Sequence, residues 1–306
     1  MRRILITGAS GYLGRCLIER WATAPDTEIH GVWQAREERL VHRGLANVHY
    51  HRCDIADRIA VAQLFERERI DAVIHAAALL PDGARHYLSR AVRTNVLGTA
   101  SLAECAAAAG VRRFVYCSSI SVYGGAPRQG SGWTEDQAAA PASAYGWSKF
   151  AAEQCAALAC AGSPMSAVIV RLAGIHGGER RAGALYHFAS NAIAGRTLTI
   201  NNPAAPFQLL FVDDAAETVW RAAAVEIASP LVALNAASHV FPSMQAFAEC
   251  ILEITASASP LTIGLAGDGL GDVMDTTRMV ELLGYAPSPA EPRLRDYCAT
   301  LRAAAL

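Results

Sequence analysis

"RILITGASGYLG", Arg3 to Gly14, opens as an apolar, β-branched run and breaks into three glycines, Gly8, Gly11 and Gly14, at three-residue spacing. A glycine at the first place permits a tight turn, one at the second lets backbone approach a pyrophosphate, and one at the third lets a helix pack closely on the strand. The spacing alone is weak evidence, and a purely structural glycine turn is its alternative. Between a first strand and a first helix, it predicts a dinucleotide-binding turn in which Gly8, Gly11, Tyr12, Leu13 and Gly14 meet the cofactor.

Outward from this turn, apolar runs recur through the first 170 or so residues: "RILIT", "EIHGVW", "NVHYH", "AVIHAA", "RFVYCSS" and "AVIVRL", each followed by a helix-like stretch. That rhythm predicts an α/β fold, a doubly wound parallel sheet of Rossmann type with right-handed crossovers. After about residue 172 the pattern loosens. "GGERRAG", "NNPAAP" and "TASASPLTIGLAGDGLGD" carry loop residues around single helices such as "SMQAFAECILEI". The expected organisation is a dinucleotide-binding part at 1–172, joined by later strands from about 207–240. Residues 173–306 mainly form a smaller, interleaved C-terminal substrate-binding lobe.

Composition narrows the partners. Lysine and arginine number 27 against 28 acidic residues in 306, so no strong field draws nucleic acid or an anionic membrane, and a small molecule is the expected partner. "MRRILITG" runs into strand without the apolar region of a secretory signal, and no apolar run reaches the ~18 residues of a membrane span. A cytoplasmic chain is the expectation. Its eight cysteines show no Cys-x-x-Cys pair and are expected to be reduced and mostly buried. His49, His51 and Cys53 alternate onto one strand face, but three ligands on one short strand seldom converge tetrahedrally, so no metal site is expected.

The second strand ends in "GVWQARE". An acid that grips the adenosine ribose 2′-hydroxyl is expected near Trp33, and none stands there. Arg36 is placed to receive a 2′-phosphate, which tilts an NAD(P) cofactor toward NADP. A solvated helix start is the alternative for Arg36, and Glu37 and Glu38 would favour NAD.

"TGASGYLG", "CDIAD", "HAAA", "RTNVLGT", "CSSISVYG", "YGWSK" and "FVDDAA" follow one another over nearly the whole chain, ending in "DTTRMVELLGYAP". In order and spacing they resemble the extended short-chain dehydrogenase/reductases, which include nucleotide-sugar epimerases, dehydratases and ketoreductases. The resemblance implies that Asp54 and Ile55 flank the adenine and that His75 to Ala78, with Ala76, Ala77 and Ala78, line the cofactor cleft. It implies that Asn95 orders the active-site helix and that Ser119 is the catalytic serine, with Ser118 as competitor. It also implies a homodimer through helices at 83–109 and 143–161.

Tyr145 and Lys149 lie one helical turn apart, on one face. A free phenol, with a pKa near ~10, is a poor acid–base group at neutral pH. A nearby ammonium and the positive charge of an oxidised nicotinamide favour phenolate and lower that value. The expectation is a proton passed by Tyr145, a nicotinamide ribose held by Lys149, and a substrate oxygen held by Ser119. A surface cation beside a packed ring is the plainer reading of the pair.

Four residues in two stretches depart from the family's nucleotide-sugar pattern. Gly174 and His176 stand where asparagine and tyrosine are frequent, and Phe207 and Gln208 replace an Arg-Asp that meets the substrate diphosphate. Gly174 and His176 are nevertheless expected to face the substrate, with a packed histidine as the alternative for His176, and Arg180, Arg181 or Arg196 are either substitute cations or solvated surface residues. The expected activity is NAD(P)-dependent epimerisation or ketoreduction of a sugar or nucleotide sugar. Alternatives are a dehydrogenase or reductase of a non-nucleotide hydroxy-compound, or a cofactor-binding sensor without turnover. Dehydratase chemistry is disfavoured, since "CSSISVYG" has no Asp-Glu pair beside its serines.

Overall fold

The structure, a computed structural model, describes residues 2–124, 132–264 and 273–304. Its strands are β1 (Arg2–Thr7), β2 (Thr27–Trp33), β3 (Val48–Arg52), β4 (Ala72–His75), β5 (Arg113–Ser119), β6 (Ser166–Leu172), β7 (Ile175–His176), β8 (Leu198–Ile200), β9 (Phe207–Phe211), β10 (Leu231–Ala236), β11 (His239–Phe241) and β12 (Leu261–Ile263). The helices are α1 (Tyr12–Trp21), α2 (Arg58–Arg67), α3 (Tyr87–Ala91), α4 (Gly98–Ala108), α5 (Ala144–Cys160), α6 (Gly183–Ile193), α7 (Val212–Ala224), α8 (Met244–Thr255), α9 (Thr277–Leu283) and α10 (Ala290–Ala303).

Seven strands form one parallel sheet in the order β10-β6-β5-β4-β1-β2-β3. Its central strands are continuous apolar runs because both faces are covered. One face packs β1, β5 and β6 side chains such as Ile4, Val115 and Val170 against α1 and α7; the other packs Leu5, Val73 and Phe114 against α2, α4 and α5. The strand order reverses between β1 and β4, where a dinucleotide crevice opens in such sheets.

The six strands read from the sequence are β1 to β6. The helix expected between β2 and β3 is absent: only a single 3₁₀ turn, Glu37–Arg39, occupies that connection. The stretch "QAREERLVHRGLAN" has no apolar stripe to bury, and Arg36 adopts a left-handed conformation (φ 62°) that ends regular structure. Beyond β6, β9 pairs with β7 and β11 in a small sheet, and β8 pairs with β12, around a separate core of α6, α8 and α10. Among the described residues, only β10 of the strands expected to return at about 207–240 joins the main sheet, because β9 pairs with β7 and β11 instead. Of the loop stretch expected at 255–272, Leu261–Ile263 is instead strand β12, paired with β8, and 265–272 lie outside the described residues.

All eight cysteines are free, four buried and four partly exposed, fewer buried than expected because Cys16, Cys53, Cys155 and Cys250 sit at the margins of the layers. Among the described residues no helix is long and apolar enough to cross a membrane.

Candidate active site

The glycine turn after β1 closes tightly: Gly11 N donates to Gly8 O at 2.8 Å. A Cβ on Gly14 would lie 2.1 Å from Gly8 O, so no side chain fits where α1 meets the turn. Gly11 caps α1 without any side-chain hydrogen bond, which leaves the first-turn amides directed to an anion. The turn forms the floor of a cleft of about 370 Å³. Gly8, Gly11, Tyr12, Leu13, Gly14 and Arg36 line it, as do Ile55, Ala76, Ala77 and Ala78 on the opposite side. This shape, with bare amides at a helix start and no Cβ intruding, fits a dinucleotide.

Two expected residues stand elsewhere. Asp54 does not line the cleft; its carboxylate holds Arg93 at 2.6 Å and accepts from Ala56 N, and these keep it below the usual carboxylate range against an opposing effect of burial. His75 is buried behind the wall. Thr99 donates its hydroxyl to Asn95 O, so it accepts from His75 Nε2 at 2.9 Å, and Nδ1 accepts from Thr7 at 2.6 Å. Burial pulls His75 down to about 3, so it is a neutral strut. Sequence reading missed Ser10, Gln34, Cys53 and Thr94, which also line the cleft. Ser10 donates to Ala35 O at 2.7 Å, and only the glycine turn hints at it.

At the far end of the cleft wall, Asn95 sits in a π-helical turn, Val92–Leu97, inserted between α3 and α4. Its Oδ1 accepts from Leu79 N at 2.7 Å and its Nδ2 donates to Ser148 Oγ at 3.0 Å. Asn95 therefore ties the segment after β4 to α5, beside Lys149. Ser143 caps α5 by accepting from Gly146 N at 3.0 Å. A Cβ on Gly146 would lie 2.1 Å from Ser121 O, so only glycine lets α5 seat against the end of β5. That approach sets Tyr145 close to Ser119, whose hydroxyl favours the phenolate.

Ser118 faces the other way, donating to Glu153 Oε1 at 2.5 Å, whereas Ser119 Oγ accepts from Ser121 N at 3.2 Å, donates to Ser121 Oγ at 3.2 Å and is partly exposed. Lys149 is buried, its Nζ 2.6 Å from Cys117 O and 4.2 Å from the Tyr116 ring centre. Burial pulls it down to about 8, against the opposing influence of Cys117 and Glu153. Burial, then Tyr87, pushes Tyr145 up to about 12, while the Ser119 hydrogen bond and the Arg180 guanidinium act to lower it. The Arg180 charge acts on the phenol, and the Lys149 ammonium donates to the strand at Cys117 O.

On the substrate side His176 is buried, edge-on to Phe207 at 6.0 Å, and pulled down to about 4 by burial and then Arg180. Its Nδ1 has no partner among the described residues. A Cβ at Gly174 would come 3.3 Å from His176 Nε2, so the imidazole occupies the space a side chain at 174 would need. Gln208 is engaged with Met274 through both its amide groups, at 3.0 and 2.8 Å. Arg180 lies 5.9 Å from the Tyr12 ring centre with its Nε buried and unpaired among the described residues. Arg181 donates to Gly178 O and Arg196 to Asn191, whereas the charge of Arg180 acts on Tyr145.

The model of the NAD dependent epimerase/dehydratase family matches residues 4–231. The chain belongs to that family. The UDP-glucose 4-epimerase GEPI48 of Cyamopsis tetragonoloba is 28% identical over 165 residues, which are 49% of this chain and 45% of that protein. The chain thus spans less than half the length of such curated relatives. The dTDP-6-deoxy-L-talose 4-dehydrogenase (NAD(P)(+)) of Kitasatospora kifunensis is 27% identical over 304 residues, 93% of this chain and 91% of that one. The UDP-glucose 4-epimerase of Thermotoga maritima, solved with UDP-glucose, shares the fold of this epimerase/dehydratase-family chain: TM-score 0.86 at 20% identity, over 99% of this chain and 100% of that one.

Proposed function

We propose that the chain is an NAD(P)-dependent sugar or nucleotide-sugar 4-epimerase or 4-ketoreductase that moves a hydride at a carbinol carbon, with Tyr145 as acid and base. The close seating of α5 at the end of β5, which sets Tyr145 beside Ser119, carries this reading. The bound nicotinamide supplies the hydride donor or acceptor. Ser119 holds the substrate oxygen, Tyr145 exchanges its proton, and Asn95 holds α5 at the distance both need. Arg180 and the buried Lys149 supply the positive charge around the phenol. His176 and Gly174 face the sugar. The relative matched over nearly its whole length, a 4-dehydrogenase of a dTDP sugar, supports chemistry at the 4-position.

The cofactor proposal keeps the tilt to NADP. Arg36 borders the cleft, and Glu37, which would otherwise compete for a ribose hydroxyl, is paired with Arg43 at 2.6 Å. Leu88, Val92, Leu97, Trp147 and Leu158 are exposed on α3, α5 and the π turn, and they support a homodimer through these helices. A second reading, a non-nucleotide hydroxy-compound, is favoured by the occupation of Gln208 with Met274 at a place where the family meets diphosphate.

The purified chain is incubated with UDP- and dTDP-hexoses, their 4-keto forms and a panel of simple hydroxy-compounds, with NAD+, NADPH or no added cofactor. Absorbance at 340 nm and chromatography read the products. Turnover of a nucleotide hexose that is lost in Tyr145→Phe, with cofactor binding kept, is expected. Turnover confined to simple hydroxy-compounds replaces the first reading by the second, and a fully active Tyr145→Phe removes the role given to the phenol.

A further inference from the structure

At the edge of the main sheet, away from the cleft's reacting end, the register of β2 and β3 sets His30 beside His49 and Val32 beside His51. His30 Nδ1 lies 3.1 Å from His51 Nε2 and 3.7 Å from a carboxylate oxygen of Glu68, which caps α2. One ligand atom from each residue lies within 4.8 Å of the other two. A tetrahedral zinc ion with bonds of about 2.0–2.1 Å sets its ligand atoms about 3.3 Å apart, so these spacings need little adjustment to receive one.

His30 is buried, and its other nitrogen, Nε2, meets Glu28 Oε1 at 3.2 Å. That carboxylate also accepts from Arg3 Nε at 3.1 Å and draws His49 Nε2 to 3.2 Å. A neutral His30 therefore carries its proton on Nε2, toward Glu28, and turns a bare Nδ1 lone pair toward His51 and Glu68. A carboxylate behind a histidine ligand is the arrangement that orients and strengthens metal-binding imidazoles. His51 borders an open cavity of about 360 Å³ with Cys53, Gln63 and Arg67, from which an ion and a water ligand can enter. Arg67 lies 3.6 Å from the second oxygen of Glu68, which leaves one oxygen for the ion.

We infer that His30, His51 and Glu68 form a binding site for a divalent transition metal, with zinc the best fit to two imidazoles and a carboxylate. His49 and Cys53, which share a strand face with His51, are not part of this set: His49 is held by Glu28, and Cys53 Sγ is directed to Asp54 O at 3.6 Å. The missing ligands come from the neighbouring strand and from the end of a helix. The ion would clamp β2, β3 and α2 together, close to where β2 runs into the cleft residues Gln34 and Arg36.

The test uses the full chain without a histidine tag, stripped with a chelator and titrated calorimetrically with Zn2+, with Mg2+ as control. Saturable binding of one Zn2+ per chain is expected, without binding of Mg2+. His51→Ala and Glu68→Gln should each weaken it tenfold or more, and Glu28→Gln, which touches no ligand atom, by roughly ten- to a hundredfold. Thermal melts should rise with Zn2+ in the wild type and stay level in Glu68→Gln, a partly exposed position suited to the measurement if His51→Ala folds poorly. Absence of saturable Zn2+ binding, or binding unchanged in both Glu68→Gln and Glu28→Gln, would overturn the site and leave a hydrogen-bonded histidine pair.

Discussion

Glu153→Gln should destabilise the chain by about 3–5 kcal/mol, the usual cost of breaking a buried ion pair by removing one partner. Glu153 lies on α5 one turn beyond Lys149, and it accepts from Arg171 Nε at 3.1 Å, from Arg171 Nη2 at 2.9 Å and from Ser118 at 2.5 Å. The two side chains are only 8% and 4% exposed, so water does not take over the lost contacts. Burial by itself would lower the Arg171 pKa; the hydrogen bonds and charge of Glu153 outweigh it and raise the value. Neutral glutamine leaves the guanidinium in the core with Tyr123 OH at 3.0 Å and a 3.5 Å contact to Glu135 O. Thermal melts monitored by circular dichroism should fall by about 5–8 °C for a chain of this size. A double variant, Glu153→Leu with Arg171→Met, should recover most of that loss, since an apolar pair of similar volume needs no partner. A loss under about 1 kcal/mol, or a double variant as unstable as the single one, would refute the reasoning.

Arg180→Met removes the cation that favours phenolate at Tyr145, so the limb of the pH–kcat/KM profile that needs phenolate should move to higher pH; an unmoved profile would exclude that influence. Gly14→Ala places a methyl group 2.1 Å from Gly8 O and should cost about 1–3 kcal/mol in denaturant titrations while weakening dinucleotide binding, and equal affinity would contradict the cradle. Arg36→Ala should weaken NADP binding roughly ten- to a hundredfold, the worth of a charged hydrogen bond, and leave NAD unchanged in fluorescence titrations. Lys149→Met tests the buried ammonium: folded Lys149 titrates near about 8 against 10.5 unfolded, so between those values the unfolded chain holds the extra proton and the wild type gains stability as pH rises. Relative to Lys149→Met the wild type should therefore gain about 2 kcal/mol from pH 7 to pH 10, and a pH-independent difference would rule this out.

The reach of sequence reading differs from element to element for physical reasons. Strands buried on both faces write long apolar runs, so β1 to β6 and the glycine turn are visible in the chain itself. Residues 34–47 look like a crossover slot, but a missing apolar stripe leaves them a loop with one 3₁₀ turn. Spacing of four predicts that Tyr145 and Lys149 share a face. It does not say how far a four-carbon stem travels, and the Lys149 ammonium passes under Tyr116 to the Cys117 carbonyl. Ser118 and Ser119 are neighbours on a strand, so alternation sends one to Glu153 and the other to Tyr145, which separates the two candidates left open by motif alone. The Glu153–Arg171 pair leaves no periodic trace, because a buried ion pair depends on two elements meeting in space.

The charges around the phenol suggest how proton and hydride could be kept in step. In the cofactor-free chain Tyr145 is pushed up and Lys149 down, in both cases chiefly by burial, so this corner favours the neutral form of each group. Ser119 and Arg180 offset part of that effect on the phenol without overturning it. A phenol poised in this way is a proton donor by default. It becomes a base only when further positive charge enters the same low-dielectric corner, and an oxidised nicotinamide ring carries that charge whereas a reduced one does not. Burial of Tyr145 is therefore a functional feature of the proposed mechanism: in water the same phenol would respond weakly to a charge several ångströms away, and its protonation state would no longer follow the redox state of the cleft.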